Sequence, residues 1–120
     1  MCTIKIARSM KKETLIQAEI LKYLRSKGVF AWRQNNGGIW DAKLGMYRTH
    51  TGMKGVPDII AVYHGRFIGV EIKSEKGKMS PDQFIFRERL LEAGGLYILA
   101  RSVADVEAAM AIPAPTPSPR

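Results

Sequence analysis

Residues 55–73, G-V-P-D-I-I-A-V-Y-H-G-R-F-I-G-V-E-I-K, decide the fold. Asp58 to Tyr63 and Arg66 to Lys73 are two runs rich in β-branched and aromatic residues. His64-Gly65 between them is a two-residue hairpin turn, with a glycine that takes positive φ readily. If Tyr63 faces Arg66, the register follows: Val62 opposes Phe67, Ile60 opposes Gly69, and Asp58 opposes Glu71. Alternation then puts Ile68, Val70 and Ile72 on one side of the sheet, and Glu71 with Lys73 on the other. Gly69, opposite Ile60 on the face of Glu71, is expected to leave open space for a ligand.

Two carboxylates at cross-strand distance, roughly 5 Å between Cβ atoms, repel each other unless a cation lies between them. Oxygen ligands alone point to Mg²⁺ or Mn²⁺. Such an ion suits phosphate-ester chemistry, since it polarises a phosphoryl oxygen and lowers the pKa of a bound water. Lys73 is placed to orient that water or to neutralise charge developing on the phosphate. The ion-free alternative is an Asp in a turn after Val56-Pro57 and a Glu-Lys salt bridge on an exposed strand face.

On the N-terminal side, Ile16, Ile20, Tyr23 and Leu24 form the apolar stripe of a helix over 11–27, which Gly28 ends. Glu13 and Gln17 fall on the flank of that stripe, toward the edge of the core. Val29 to Arg33 reads as a short strand. Residues 35–57 show no periodicity and are too long for a passive connection. This loop carries Trp40, Lys43, Tyr47, Arg48, His50 and Lys54, a mixture of stacking and phosphate-binding side chains suited to nucleic acid; a flap whose aromatics fold back on the domain is the alternative.

On the C-terminal side, Ser80-Pro81 with Gln83 is a well-formed helix start, and the helix over 80–93 is expected to bury Phe84, Leu90 and Leu91. Gly94-Gly95 stops it. Leu96 to Ala100 reads as a strand buried on both faces, and Ser102 with Asp105 opens a last helix over 103–110. The order is that of an α/β fold, one domain over residues 1–112. Residues 113–120, with alternating prolines, are expected to form an extended, disordered tail.

Composition narrows the function. The chain has 120 residues, 46% hydrophobic and 25% charged, which fits one soluble globular domain. A single cysteine, Cys2, excludes a disulfide framework and a Cys-based zinc site. No apolar run reaches the roughly 18 to 20 residues that span a bilayer, and residues 1–10 lack a secretory h-region, so no membrane partner and a cytoplasmic location are expected. The net charge of +8 lies in the N-terminal half: residues 1–54 hold eleven Lys and Arg against Glu13, Glu19 and Asp41, while residues 55–120 hold eight of each sign. That asymmetry points to a polyanion such as DNA; a basic surface kept for solubility is the alternative. The glycines near 37 and 52 have no Gly-Lys-Ser/Thr continuation, so no nucleotide cofactor is expected. His50 and His64 are too separated for a metal pair and are assigned surface roles. The methionines read as filler of core and loops.

G-V-P-D-I-I-A (55–61), G-R-F-I-G-V-E-I-K (65–73), K-G-K-M-S-P-D-Q (76–83), G-G-L (94–96) and R-Q-N (33–35) together resemble the VRR-NUC family of the PD-(D/E)XK nuclease superfamily, over roughly residues 13–111. The resemblance implies a restriction-endonuclease-like core, α-β-β-β-α-β, with a mixed central sheet flanked by helices. It implies a Mg²⁺-dependent, structure-selective DNA endonuclease, similar to Holliday-junction resolvases and acting as a homodimer, with Mn²⁺ also supporting activity. Asp58, Glu71 and the carbonyl of Ile72 would hold the metal, and Lys73 would be the catalytic lysine. Related resolvases carry a Glu where this chain has Gln17. Gln17 would then serve through its amide oxygen, and Glu13, one turn earlier, could supply a carboxylate through a water or a second metal. A capping box with Thr14 is the alternative for Gln17. Gln83 supports the site, caps its helix, or does both. Arg33, Lys43, Arg48, Lys54, Lys76 and Lys78 are the expected DNA contacts. The competing functions are a nickase or restriction-like enzyme acting on linear duplex, and a non-catalytic DNA-binding module of the same fold. A role in phage replication, recombination or packaging is an analogy drawn from the small stand-alone form.

Overall fold

The computed structural model describes the backbone of residues 2–34, 39–48 and 53–110, and the side chains of residues 12–34, 41–46 and 53–110. Asn35, His50, the Arg48 side chain, the domain limit at 112 and the tail 113–120 lie outside the described residues. The first helix, α1, spans Cys2–Ser26 and so begins well before the expected Lys11. Its apolar stripe buries Ile20 and Leu24 completely, with Ile16 and Tyr23 packed beside them. Gly28 (φ 76°) ends it. Gly28 N donates to Arg25 O at 3.1 Å and Val29 N to Leu24 O at 3.0 Å, the paired bonds of a Schellman stop.

β1 (Phe30–Arg33) follows at once, and the hairpin over 55–73 forms β4 (Ile59–Tyr63) and β5 (Arg66–Ile72). The turn residues His64 (φ 50°) and Gly65 (φ 76°) both have positive φ, as a type I′ turn requires. The register is the one the turn dictates, from Tyr63 opposite Arg66 to Ile60 opposite Gly69 and Ile59 opposite Val70. Asp58 sits one residue outside this ladder. β1 pairs antiparallel with β4, and β6 (Leu96–Ala100) pairs parallel with β5, giving a mixed sheet in the order β1-β4-β5-β6.

Ile59, Ala61, Ile68, Val70, Ile72, Ile98 and Ala100 make one face of that sheet into the core, covered by Ile20 and Leu24 of α1 and by Val106 of α3 (Val103–Met110). The second helix, α2 (Pro81–Glu92), lies on the other face and is held differently. No residue of it is buried. Phe84 and Leu91, expected inside, are 49% and 42% exposed. α2 is docked through half-buried Leu90, which reaches Gly69 and Gly95. Its helical stripe is therefore narrower than its count of apolar residues implies.

Three further expectations are corrected. The space above Gly69 is filled, since a Cβ there would lie 2.7 Å from Pro57 Cγ and 3.3 Å from Leu90 Cδ2. β6 is not buried on both faces, because Leu99 is 37% exposed at the sheet edge. Within the stretch expected to lack periodicity, β2 (Ile39–Asp41) and β3 (Met46–Arg48) form a separate antiparallel hairpin. Asp41 Oδ1 organises its turn by accepting from Lys43 N at 2.9 Å and Leu44 N at 3.2 Å. Three-residue strands are too short to show a period.

Gly55 ties the segment before β4 to the start of α2. Its φ is 76°, and a Cβ there would strike the backbone oxygen of Asp82. Gly55→Ala combines left-handed strain with overpacking and should cost about 2–4 kcal/mol of stability. Gly45 (φ 63°) has nothing within 4 Å of the same position, so Gly45→Ala should cost only the backbone strain, about 1–2 kcal/mol. Urea midpoints of the two variants measure the difference, and equal losses would contradict the docking of α2 described here.

Candidate active site

The hairpin's open end gathers the charged groups. Asp58 follows the fully buried Pro57 and precedes the first rung of the β4–β5 ladder, so its side chain is free to turn toward β5. Its Oδ2 accepts from Ile72 N at 2.9 Å. Its own carbonyl accepts from Gln34 N at 2.8 Å, which continues the pairing with β1. Glu71 is 3% exposed, the one buried charged residue among those described. Its Oε1 accepts from Gln83 Nε2 at 2.8 Å and lies 3.7 Å from Lys73 Nζ. Its Oε2 is buried with no partner.

Both carboxyls are pushed above the ordinary range. For Glu71 the cause is burial first and the negative charge of Asp58 second, and together they push it up to about 8 against the pull of Lys73. Asp58 is raised by burial, against the lowering effect of the Ile72 N–H. Two desolvated acids side by side disfavour double ionisation.

The residues around the pair come from two helices. Gln83 does two jobs: its Oε1 accepts from Ser80 N at 2.8 Å in the capping box of α2, while its Nε2 holds Glu71. Glu13 of α1 accepts from Ser74 N at 3.0 Å and adds a negative charge felt by Asp58. Gln17 is not part of a capping box, because α1 continues through Thr14 to Cys2. It lines a cleft of about 140 Å³ with Arg33 and Ile59, the residue after Asp58, and its buried Oε1 has no partner.

Ile72 enters this geometry through its N–H, whereas the resemblance to the VRR-NUC family implies a role for its carbonyl. Lys43, Lys54, Lys76 and Lys78 are exposed, and His64 lies at the turn, the other end of β4 from Asp58. Two residues had no signal in the sequence. Arg101, just after β6, donates to Ser74 O and, at 3.0 Å, to Gly77 O, holding the loop that follows Lys73. Tyr97 of β6 stands on the Glu71 face and is influenced by Glu71, Asp58 and Arg87. Tyr97 directly follows the G-G-L run, which by itself assigns it no role; the parallel register of β6 brings it to the Glu71 face, and Arg101 follows the end of that strand.

Among the described residues, no group of three His, Cys, Asp or Glu side chains converges on one point. The pair nevertheless has the chemistry of a divalent-cation site. Burial raises both carboxyls and the charge of Asp58 raises Glu71 further, and two buried acceptors, Glu71 Oε2 and Gln17 Oε1, have no donor. Mg²⁺ and Mn²⁺ take such hard oxygen donors, carboxylate and amide alike.

A solved structure of a VRR_NUC domain superposes on 84% of this chain and 96% of its own with a TM-score of 0.64, at 20% sequence identity. This chain has the VRR-NUC fold. No family model matches the sequence, and no curated protein matches it. The similarity to the VRR-NUC domain is therefore carried by three-dimensional structure, and it agrees with the mixed sheet and flanking helices described above. Among the described residues, no helix is long and apolar enough to cross a membrane.

The raised acid has a consequence for stability. A carboxyl whose pKa rises from 4.5 to about 8 on folding stabilises the folded state fully below pH 4.5, and that contribution is lost as the pH climbs through 8. Metal-free protein should lose stability over this window. Glu71→Gln should flatten the loss, as read from urea midpoints in EDTA at a series of pH values; an unchanged slope would place the titration elsewhere.

Proposed function

We propose that this protein is a metal-dependent endonuclease that hydrolyses phosphodiester bonds in DNA, selective for branched structures and acting as a homodimer. The observation that carries the reading is the buried Glu71 beside the half-buried Asp58, with Lys73 Nζ 3.7 Å from Glu71 Oε1, on a VRR-NUC fold. Asp58, Glu71, the Gln17 amide oxygen and the Ile72 carbonyl would hold Mg²⁺ or Mn²⁺, with Glu13 supporting the site from α1. When bound, such a cation supplies Lewis acidity toward the phosphate and acidifies water.

The chain's own groups do the rest. Gln83 fixes Glu71 Oε1, so the carboxylate cannot rotate freely. Lys73 places a positive charge where the phosphate gains negative charge, and its ammonium can orient the attacking water. Water gives up a proton to solvent as it attacks phosphorus, the new P–O bond forms as the bond to the leaving sugar oxygen breaks, and the leaving oxygen takes up a proton from solvent. Arg33, Lys43, Arg48, Lys54, Lys76 and Lys78 are the phosphate contacts that set register on the DNA. One centre per chain cuts one strand, so paired incision of a four-way junction requires two copies related by symmetry. The compartment this reading implies is the cytoplasm.

The test uses purified protein with Mg²⁺ or Mn²⁺ on a four-way junction, a flap, linear duplex and single strand. Paired symmetric cuts in the junction are expected. Cuts on every duplex would replace structure selectivity with general nuclease activity, and binding without cuts would leave a DNA-binding module. Glu71→Ala and Lys73→Ala should each lower cleavage by at least about 10²-fold with DNA affinity in EDTA unchanged. Retained cleavage in either variant would overturn the assignment.

A further inference from the structure

Among the described residues, three buried side-chain polar atoms lack a hydrogen-bond partner: Gln17 Oε1, Glu71 Oε2 and the Tyr97 hydroxyl. Two are acceptors that the proposed cation satisfies. The third is a phenol, whose O–H proton a cation leaves without an acceptor. Tyr97 pairs with Gly69 in the parallel β5–β6 ladder and Glu71 pairs with Leu99, so Tyr97 and Glu71 are diagonal neighbours on one face of the sheet. At that spacing an aromatic side chain still reaches its neighbour. Burial, followed by the charges of Glu71 and Asp58, pushes the phenol's pKa up, which keeps its proton in place.

Gln83 occupies one oxygen of Glu71, Oε1, and leaves Oε2 as the oxygen without a donor. An unpartnered hydroxyl and an unpartnered acceptor on diagonal positions of one sheet face are suited to share one small polar molecule. A tyrosine serving the packing alone gains nothing from such a hydroxyl, because a buried donor without a partner destabilises the fold.

We propose that Tyr97 is a positioning residue of the nuclease centre: its hydroxyl holds a water shared with Glu71 Oε2 and thereby fixes that oxygen toward the cation. The proposal rests on the reading of Asp58 and Glu71 as cation ligands. Tyr97 thus acts on the cation through Glu71, from a strand that carries no other member of the site.

The test is Tyr97→Phe in the full chain, which removes one oxygen and keeps the ring. Tyr63→Phe, at the turn end of β4, is the control. Three quantities are read: the melting temperature of metal-free protein, Mn²⁺ affinity from the EPR signal of the free ion, and cleavage against Mn²⁺ concentration. For Tyr97→Phe, melting should be unchanged or higher. Mn²⁺ affinity should fall about tenfold, the lower end of the range for residues that orient ligands. The Mn²⁺ concentration needed for half-maximal cleavage should rise in the same proportion. Tyr63→Phe should alter none of these. A lowered melting temperature in Tyr97→Phe would make the hydroxyl structural, and wild-type Mn²⁺ affinity in that variant would overturn the proposal. If Mn²⁺ binding depends on Tyr97 in a protein that cuts no DNA, the positioning role stands and the nuclease reading falls. If wild type cuts DNA and Tyr97→Phe binds Mn²⁺ normally, the reverse holds.

Discussion

Two carboxyl groups are held side by side at the open end of a β-hairpin, and their mutual repulsion constrains everything placed near them. The hairpin leaves no choice about this meeting. Its two-residue turn sets the register, the register puts Asp58 one step beyond the Ile59–Val70 rung, and Glu71 is the next residue on the opposing strand. Bringing both charges out of water is unfavourable unless each finds compensation. The structure supplies it in pieces: an N–H from Ile72 to Asp58, the Gln83 amide and Lys73 ammonium to Glu71, and a raised proton affinity for what is left. What it does not supply is a donor for Glu71 Oε2, and the proposed cation site rests on that deficit.

The supporting elements are tied to the pair by single bonds from distant parts of the chain. Glu13, from the first helix, holds Ser74 N across 61 positions of sequence, and Arg101 holds the carbonyls of Ser74 and Gly77 from beyond β6. Lys73 stands at the root of that loop, so its position is set from both flanks. Arg101 is itself held by α3, whose Asp105 accepts from Arg101 N at 2.8 Å. The core face, closed by α1 and α3, thus sets the geometry of a site that opens on the sheet's far end.

How much of this was legible follows from the range of each interaction. The hairpin, its register, the Gly28 stop and the Ser80–Gln83 capping box are local, and local chemistry reveals them in sequence. The Gly69 error was of another kind. Alternation correctly placed this glycine on the face of Glu71, but whether the space beyond it is open depends on Pro57 and Leu90, which arrive from other segments. The exposure of Phe84 and Leu91 was hidden for the same reason, since an apolar stripe shows where a helix can pack and says nothing of the width of the surface it meets. Arg101 and Tyr97 were invisible because a parallel crossover, with no turn to set its register, brings them to the site. The small β2–β3 hairpin escaped because three residues cannot display a period of two.

Gln17 illustrates how the electrostatics select a residue. Burial raises both Asp58 and Glu71, Asp58 raises Glu71 further, and Glu13 adds to the raise of Asp58. A fourth carboxylate on α1, one turn from Glu13, would add a like charge within the range where repulsion is strong in a desolvated setting. It would drive one member of the group to stay protonated, and a protonated acid is a poor ligand for a hard cation. An amide keeps the oxygen donor and omits the charge. Its Oε1 is buried and unpartnered, and on the proposed reading the amide is a donor suited to a site that already holds three carboxyl groups.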